Sequence, residues 1–108
     1  MSARSVRYHQ GASADVKSAV AWYQKRSPKA ASDFVEELDR AVDTIREAPE
    51  RWPMGKSSTR RFLLWRFPFS IIYSEQEGVI IIWAVAHGSR RPSIGLVALN
   101  ERKLQLTS

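Results

Sequence analysis

The sequence predicts an α+β domain of order β-α-α-β-β-β, in which a helical hairpin packs on a small, mainly antiparallel sheet. Two stretches between residues 13 and 47 repeat apolar residues every three or four positions, as amphipathic helices do. Residues 60–87 instead contain short alternating or continuously apolar segments separated by proline and glycine. No repeat or Pro/Gly-rich linker divides the 108 residues. We therefore expect one domain over 1–108, with its core over about 5–92 and a tail over 93–108 that the sequence does not place.

A short strand and a first helix open the chain. Residues 5–9 predict the strand, and a helix is expected to begin at about Ser13. Its apolar stripe comprises Val16, Ala19, Val20 and Tyr23. Ser27 followed by Pro28 is typical of an N-cap and a first helical position, so a second helix should begin there. Since almost no linker remains between them, we expect the two helices to form an antiparallel hairpin.

The second helix has the clearest amphipathic pattern. Its predicted buried stripe comprises Ala31, Phe34, Val35, Leu38, Ala41, Val42 and Ile45. Its predicted solvated face comprises Asp33, Glu36, Glu37, Arg40 and Asp43. Glu36 and Arg40 have the i,i+4 spacing of a helical ion pair. Pro49 disfavours helical geometry at Ala48 and should end the helix there.

Three strand-like segments follow the helices. RRFLLWRF (residues 60–67) alternates with period two until Pro68 interrupts it, and FSIIYS (69–74) is the next strand. EQEG (75–78) predicts a turn before VIIIWAVAH (79–87). Because this last segment is apolar on both faces, we expect it in the middle of the sheet, covered on each side, with Trp83 in the core.

Composition narrows the function classes. The longest apolar run, residues 79–86, is far shorter than the ~20 residues of a membrane span. With no cysteine and two histidines, the chain offers no disulfide and no plausible metal site, and we expect no cofactor and a cytoplasmic location. Residues 56–108 carry eight Lys/Arg and three Asp/Glu, so this half supplies +5 of the net charge of +6. That asymmetry favours a polyanion or an acidic protein as partner, although solubility alone would also explain it.

The ordered motifs carry a resemblance. They are Ala-Trp-Tyr (21–23), Pro-x-x-Trp-Pro (49–53), Arg-Phe-Pro-Phe-x-Ile-x-Tyr (66–73) and Ala-Val-x-His (84–87). From about residue 6 to residue 92 the sequence resembles the RelE/ParE superfamily of small bacterial toxins from type II toxin–antitoxin systems, and its ParE-like branch in particular. The resemblance implies a growth-arresting toxin that a cognate antitoxin neutralises.

The resemblance also implies one of two targets. ParE-like relatives poison DNA gyrase, whereas RelE-like relatives are ribosome-dependent mRNA endoribonucleases. The nucleases often carry lysines on the middle strands and an aromatic residue after the strand-end histidine, both of which this sequence lacks. We therefore expect a gyrase-directed toxin, with the endoribonuclease as the alternative. An inactive basic binding module would show the same charge asymmetry, so the sequence leaves open whether the protein is an enzyme.

AVAHGSRRP (84–92) contains the candidate site. If the protein is a nuclease, His87 would serve as general acid or base, and Arg66, Arg90 and Arg91 would hold the phosphate. The same arginines, with Arg60 and Arg61, are candidates for contacting nucleic acid or a partner. A histidine at a strand end is equally often structural. Strand geometry predicts that Arg66, rather than Arg60, lies at the sheet end of His87.

Overall fold

A helical hairpin on one face of a four-stranded sheet confirms the expected α+β fold. The computed structural model describes residues 4–88, so the tail lies outside it. The elements are β1 (Ser5–Tyr8), α1 (Gln10–Arg26), α2 (Pro28–Glu47), β2 (Arg60–Leu63), β3 (Phe69–Gln76) and β4 (Val79–His87). The strand order is β1-β4-β3-β2, with β1 parallel to β4 and the other two pairings antiparallel.

Helix α1 begins at Gln10, three residues before the predicted start. His9 is the reason, because its Nδ1 accepts the Gly11 N–H at 3.1 Å and so caps the helix. The His9 backbone N–H also donates to the Ile82 carbonyl at 2.9 Å. The cap therefore fixes α1 directly against the central strand, a constraint that the apolar stripe does not reveal.

Helix α2 begins and ends as predicted. The Ser27 Oγ accepts the Ala30 N–H at 3.2 Å, and the helix ends at Glu47 before Pro49. Six of the seven stripe residues are buried, and only Val35 is exposed. The solvated face was wrongly predicted at Glu37, which is buried. Among residues 4–88, Glu36 and Arg40 form no ion pair.

Strand β4 lies between β1 and β3, as expected for the most apolar strand. The expectation that both of its faces are covered was wrong. Ile80, Ile82 and Val85 are buried, but Trp83 is 37% exposed. Trp83 is the extra residue of a β-bulge, because Tyr73 pairs with Ile82 while the preceding Ile72 pairs with Ala84. Alternation with the buried Ile80 and Ile82 places the indole on the opposite face, and the bulge shifts the phase so that Val85 is buried. The Trp83 Nε1 donates to the Ser74 Oγ at 2.9 Å.

Strand β2 is half its predicted length, whereas β3 is longer than predicted. The chain leaves the sheet after Leu63, and residues 65–68 bend before β3 begins at Phe69. At the other end, β3 continues to Gln76, and a two-residue turn at Glu77 and Gly78 joins it to β4. Both turn residues have positive φ, 53° and 80°, which suits the twist of a tight hairpin.

The core lies between the hairpin and the sheet. An aromatic group joins the two layers, since the Phe34 ring packs on Phe67 and Phe69 with centroids 5.4 and 5.2 Å apart. Tyr23 of α1 packs edge-on against Phe67 at 5.2 Å, in agreement with its place on the apolar stripe. No helix within residues 4–88 combines the length and apolarity that crossing a membrane requires.

Candidate functional site at the strand ends

The end of β2, the start of β3 and the end of β4 meet at one end of the sheet. We call residues 64–69 together with His87 the strand-end surface. Phe69 pairs with His87, and the Leu64 N–H donates to the Phe69 carbonyl at 2.9 Å. Beyond the last pair, the Gly88 N–H donates to the Pro68 carbonyl. The antiparallel pairing therefore places the 64–68 loop beside the strand-end histidine.

His87 is exposed at this end and rests against an aromatic ring. Its imidazole meets the Phe69 ring edge to face, with centroids 5.0 Å apart and planes at 83°. Within residues 4–88 its side chain forms no hydrogen bond or ion pair with a carboxylate. The contact holds the ring in place without supplying a group that would orient it for proton transfer.

Arg66 lies in the loop rather than on a strand, and Glu37 of α2 holds it. Its Nε donates to the Glu37 Oε1 at 3.0 Å, and its backbone N–H donates to Oε2 at 2.9 Å. The Trp65 N–H donates to the same Oε2. A single carboxylate thus accepts three donors from two adjacent residues, which we call the Glu37 clamp.

The clamp sets the ionisation of Glu37. Burial acts to raise the pKa of its carboxyl group, but the hydrogen bonds from Arg66 and Trp65 and the charge of Arg66 outweigh burial, so the pKa is lowered. The carboxylate is only 10% exposed and the Arg66 side chain 44% exposed. The charge of Arg66 is therefore largely neutralised by the fold itself.

Of the other predicted arginines, the two that the structure describes, Arg60 and Arg61, do not lie at His87. Arg60 pairs with Tyr73, which lies four residues along β3 from Phe69, the partner of His87, so Arg60 is about 13 Å along the sheet from His87. Its guanidinium donates to the Trp52 and Glu50 backbone carbonyls, so the Arg60 side chain has a structural role. Arg61 is exposed on β2. Arg90 and Arg91 lie outside the described residues.

Sequence reasoning missed two acidic residues that the fold uses. Glu37 is one, and Asp15 of α1 is the other: its Oδ2 accepts the Val85 N–H at 2.9 Å, next to the β4 bulge. Burial raises the pKa of Asp15, and the hydrogen bond from Val85 opposes that rise. A signal existed, because each acid occupies the i+3 position of an i, i+3, i+4, i+7 pattern. The patterns are Ala12, Asp15, Val16, Ala19 and Phe34, Glu37, Leu38, Ala41.

Two tryptophans, one in the 64–68 loop and one on α1, are largely exposed. Trp65 is 89% exposed, and Trp22 is 52% exposed with the Arg26 guanidinium 3.5 Å above its ring. A depression of about 490 Å³, lined in part by Arg60, Ser74 and Trp83, lies toward the opposite end of the sheet. Residues 4–88 bring together no group of three or more His, Cys, Asp or Glu that could hold a metal.

The sequence and the fold are similar to those of known proteins, and the sequence similarity identifies the family. Residues 6–92 match the model of the ParE toxin of the type II toxin–antitoxin system parDE. Among solved structures, a chain of the chromosomal ParDE TA system from P. aeruginosa superposes with a TM-score of 0.70 at 20% identity, covering 80% of this chain and 97% of that chain. At that identity the likeness shows the fold alone. No curated protein matches significantly. Because the family match spans most of the sequence, the chain belongs to the ParE toxin family of type II toxin–antitoxin systems.

Proposed function

We propose that this chain arrests bacterial growth by poisoning DNA gyrase in the cytoplasm, and that a protein antitoxin neutralises it. Membership of the ParE family supports the toxin function. The net charge of +6 suits an acidic antitoxin segment, because opposite charge favours association and correct docking.

The observation that carries the choice of target is the Glu37 clamp. An RNA-cleaving site needs a group that moves protons and cations that stabilise charge building on the phosphate. Arg66 lies in the loop beside His87, and its guanidinium is paired with Glu37 at 3.0 Å. Arg60 is remote and bonded to backbone carbonyls. The guanidinium groups of Arg66 and Arg60 are therefore engaged in contacts within the fold. This favours a toxin that acts through surface contacts over one that acts through phosphate chemistry.

Induced expression in a bacterial host tests this proposal. Growth, plasmid DNA recovered under denaturing conditions and transcript integrity are followed for the wild type and for His87→Ala. We expect growth arrest, linearised plasmid and intact transcripts from both proteins. Since His87 is exposed and makes one aromatic contact, the substitution should leave the amount of soluble protein unchanged.

The alternatives give different results. Cleaved transcripts with intact DNA, abolished by His87→Ala, would identify the RelE-like endoribonuclease and give His87 a chemical role. Normal growth in cells that accumulate soluble protein would identify an inactive basic binding module. Either result would refute the gyrase proposal.

A further inference from the structure

Trp65 is the most exposed large apolar side chain that the structure describes. Its relative exposure is 89%, against 52% for Trp22 and 37% for Trp83. Leu63, two residues earlier on the edge strand β2, is 57% exposed. Tryptophan is strongly enriched among the residues that dominate the energy of protein interfaces. An indole held this far into solvent, beside the exposed Leu63, is therefore a candidate contact for a partner.

The loop that carries Trp65 is fixed on both sides of it. Leu64 is buried, and its N–H donates to the Phe69 carbonyl. The Glu37 clamp holds the backbone N–H groups of Trp65 and Arg66. Phe67 packs into the aromatic core between the hairpin and the sheet. The fold thus immobilises the backbone of residue 65 while leaving its side chain free, which lowers the entropy lost when a partner covers the ring.

The shape and charge around Trp65 indicate the kind of partner. A fixed, protruding ring suits a concave pocket on a folded partner, because residues that dominate interface energies fill well-packed pockets. Nucleic acid is disfavoured, because Glu37 neutralises the adjacent Arg66 and the neighbouring exposed side chain is Leu63. Arg61 lies on the same face of β2 as Leu63, so a complementary pocket would have an acidic rim.

We propose that Trp65 is the anchor by which this toxin docks into a preformed apolar pocket with an acidic rim on its protein target. The identity of that target, the protein surface of DNA gyrase, rests on the proposed function. The anchor rests on the exposed ring and on the clamp that presents it. Glu37 is, on this proposal, a positioning residue for the contact.

The test compares the full chain with three variants: Trp65→Ala, Trp65→Phe and Trp22→Ala. The last is the matched control, because it removes another exposed indole. Thermal unfolding checks folding, binding to purified gyrase tetramer gives the affinity, and induced expression gives the growth arrest. We expect Trp65→Ala to weaken gyrase binding at least ~30-fold, equivalent to ~2 kcal/mol, with an unchanged Tm. Trp65→Phe should lose less, and Trp22→Ala should stay within about threefold of the wild type.

Unchanged affinity in Trp65→Ala, or an equal loss in Trp22→Ala, would overturn the anchor. So would a ~30-fold loss of binding to a labelled DNA duplex without gyrase, since it would make Trp65 a nucleic-acid contact. If the wild type arrests growth but does not bind gyrase, the gyrase proposal fails, and growth arrest becomes the test of the Trp65 anchor. Loss of growth arrest in Trp65→Ala then supports the anchor, and retained growth arrest overturns it.

Discussion

Replacing Glu37 by glutamine tests the clamp that organises the strand-end surface. The substitution keeps the size and shape of the side chain and removes its charge. An amide oxygen can still accept the N–H groups of Trp65 and Arg66, which now donate to Oε2. In the wild type, the Arg66 Nε donates to the Glu37 Oε1 at 3.0 Å. In the variant the amide NH₂ takes the place of Oε1, so two hydrogen-bond donors face each other there.

We expect Glu37→Gln to lower the free energy of unfolding by about 2 kcal/mol at pH 7. A hydrogen bond to an ionised group contributes ~1.5–3 kcal/mol net, and one such bond is lost while two are weakened. The desolvation cost of the buried carboxylate offsets part of this loss. The 44% exposure of the Arg66 side chain reduces it further, because solvent screens the pair. For a domain of this size the change corresponds to a fall in Tm of about 8–12 °C.

The pH dependence provides an independent check. The folded protein lowers the pKa of Glu37 below its ordinary value of 4.5. The stabilisation by the carboxylate is therefore complete above the unfolded pKa and is lost as the pH falls through the folded pKa. The difference in unfolding free energy between wild type and Glu37→Gln should be largest near pH 6–7 and should shrink below about pH 4.5.

Urea denaturation at pH 7, 5, 4 and 3 measures both effects. Glu36→Gln is the matched control, since it makes the same chemical change on the exposed side of α2, and it should stay within about 0.5 kcal/mol of wild type. The reasoning is refuted if Glu37→Gln is as stable as Glu36→Gln at pH 7, or if the gap between Glu37→Gln and the wild type does not change with pH.

Substitutions at two further positions test the capping and bulge contacts by the same denaturation assay. Asp15→Ala should cost about 1–3 kcal/mol, because it leaves the Val85 N–H without its acceptor, whereas Asp15→Asn keeps an accepting oxygen and should cost less. Since burial raises the pKa of Asp15 in the folded state, the wild type should lose stability relative to Asp15→Asn as the pH rises through that pKa; a change in the opposite direction would contradict this. Ser27→Ala should cost about 1 kcal/mol through the lost cap on Ala30, and a cost below ~0.3 kcal/mol would show that Pro28 alone begins the helix.

Features that depend on near neighbours were predictable from the sequence. The start of α2 at Ser27 and Pro28 follows from capping chemistry, and its end follows from the restriction that Pro49 places on Ala48. The central position of β4 follows from the apolar character of residues 79–87. The predicted start of α1 was less accurate, since a histidine cap does not appear in an apolar pattern.

The candidate site was predictable only in part. The alternation of residues 60–67 predicted one long strand, but the chain leaves the sheet after Leu63. Leu64 bonds to Phe69, so residues 65–68 form the connecting loop, and the backbone N–H groups of Trp65 and Arg66 donate to Glu37. The acceptor lies 28 residues before Trp65 on another element. Nothing in residues 60–67 themselves indicates that contact.

What the sequence determined by itself is therefore the set of elements, their order and the family to which the chain belongs, because periodicity, caps and turn residues act over a few positions. Only the tertiary structure decided the roles of the acidic residues and the place of Trp83 and Trp65. Asp15 finds its donor 70 residues away, and Glu37 changes from a predicted surface acid into the clamp for an exposed tryptophan. The physical reason is that a buried carboxylate is stable only where other elements bring donors to it, and those donors are far from it in the chain.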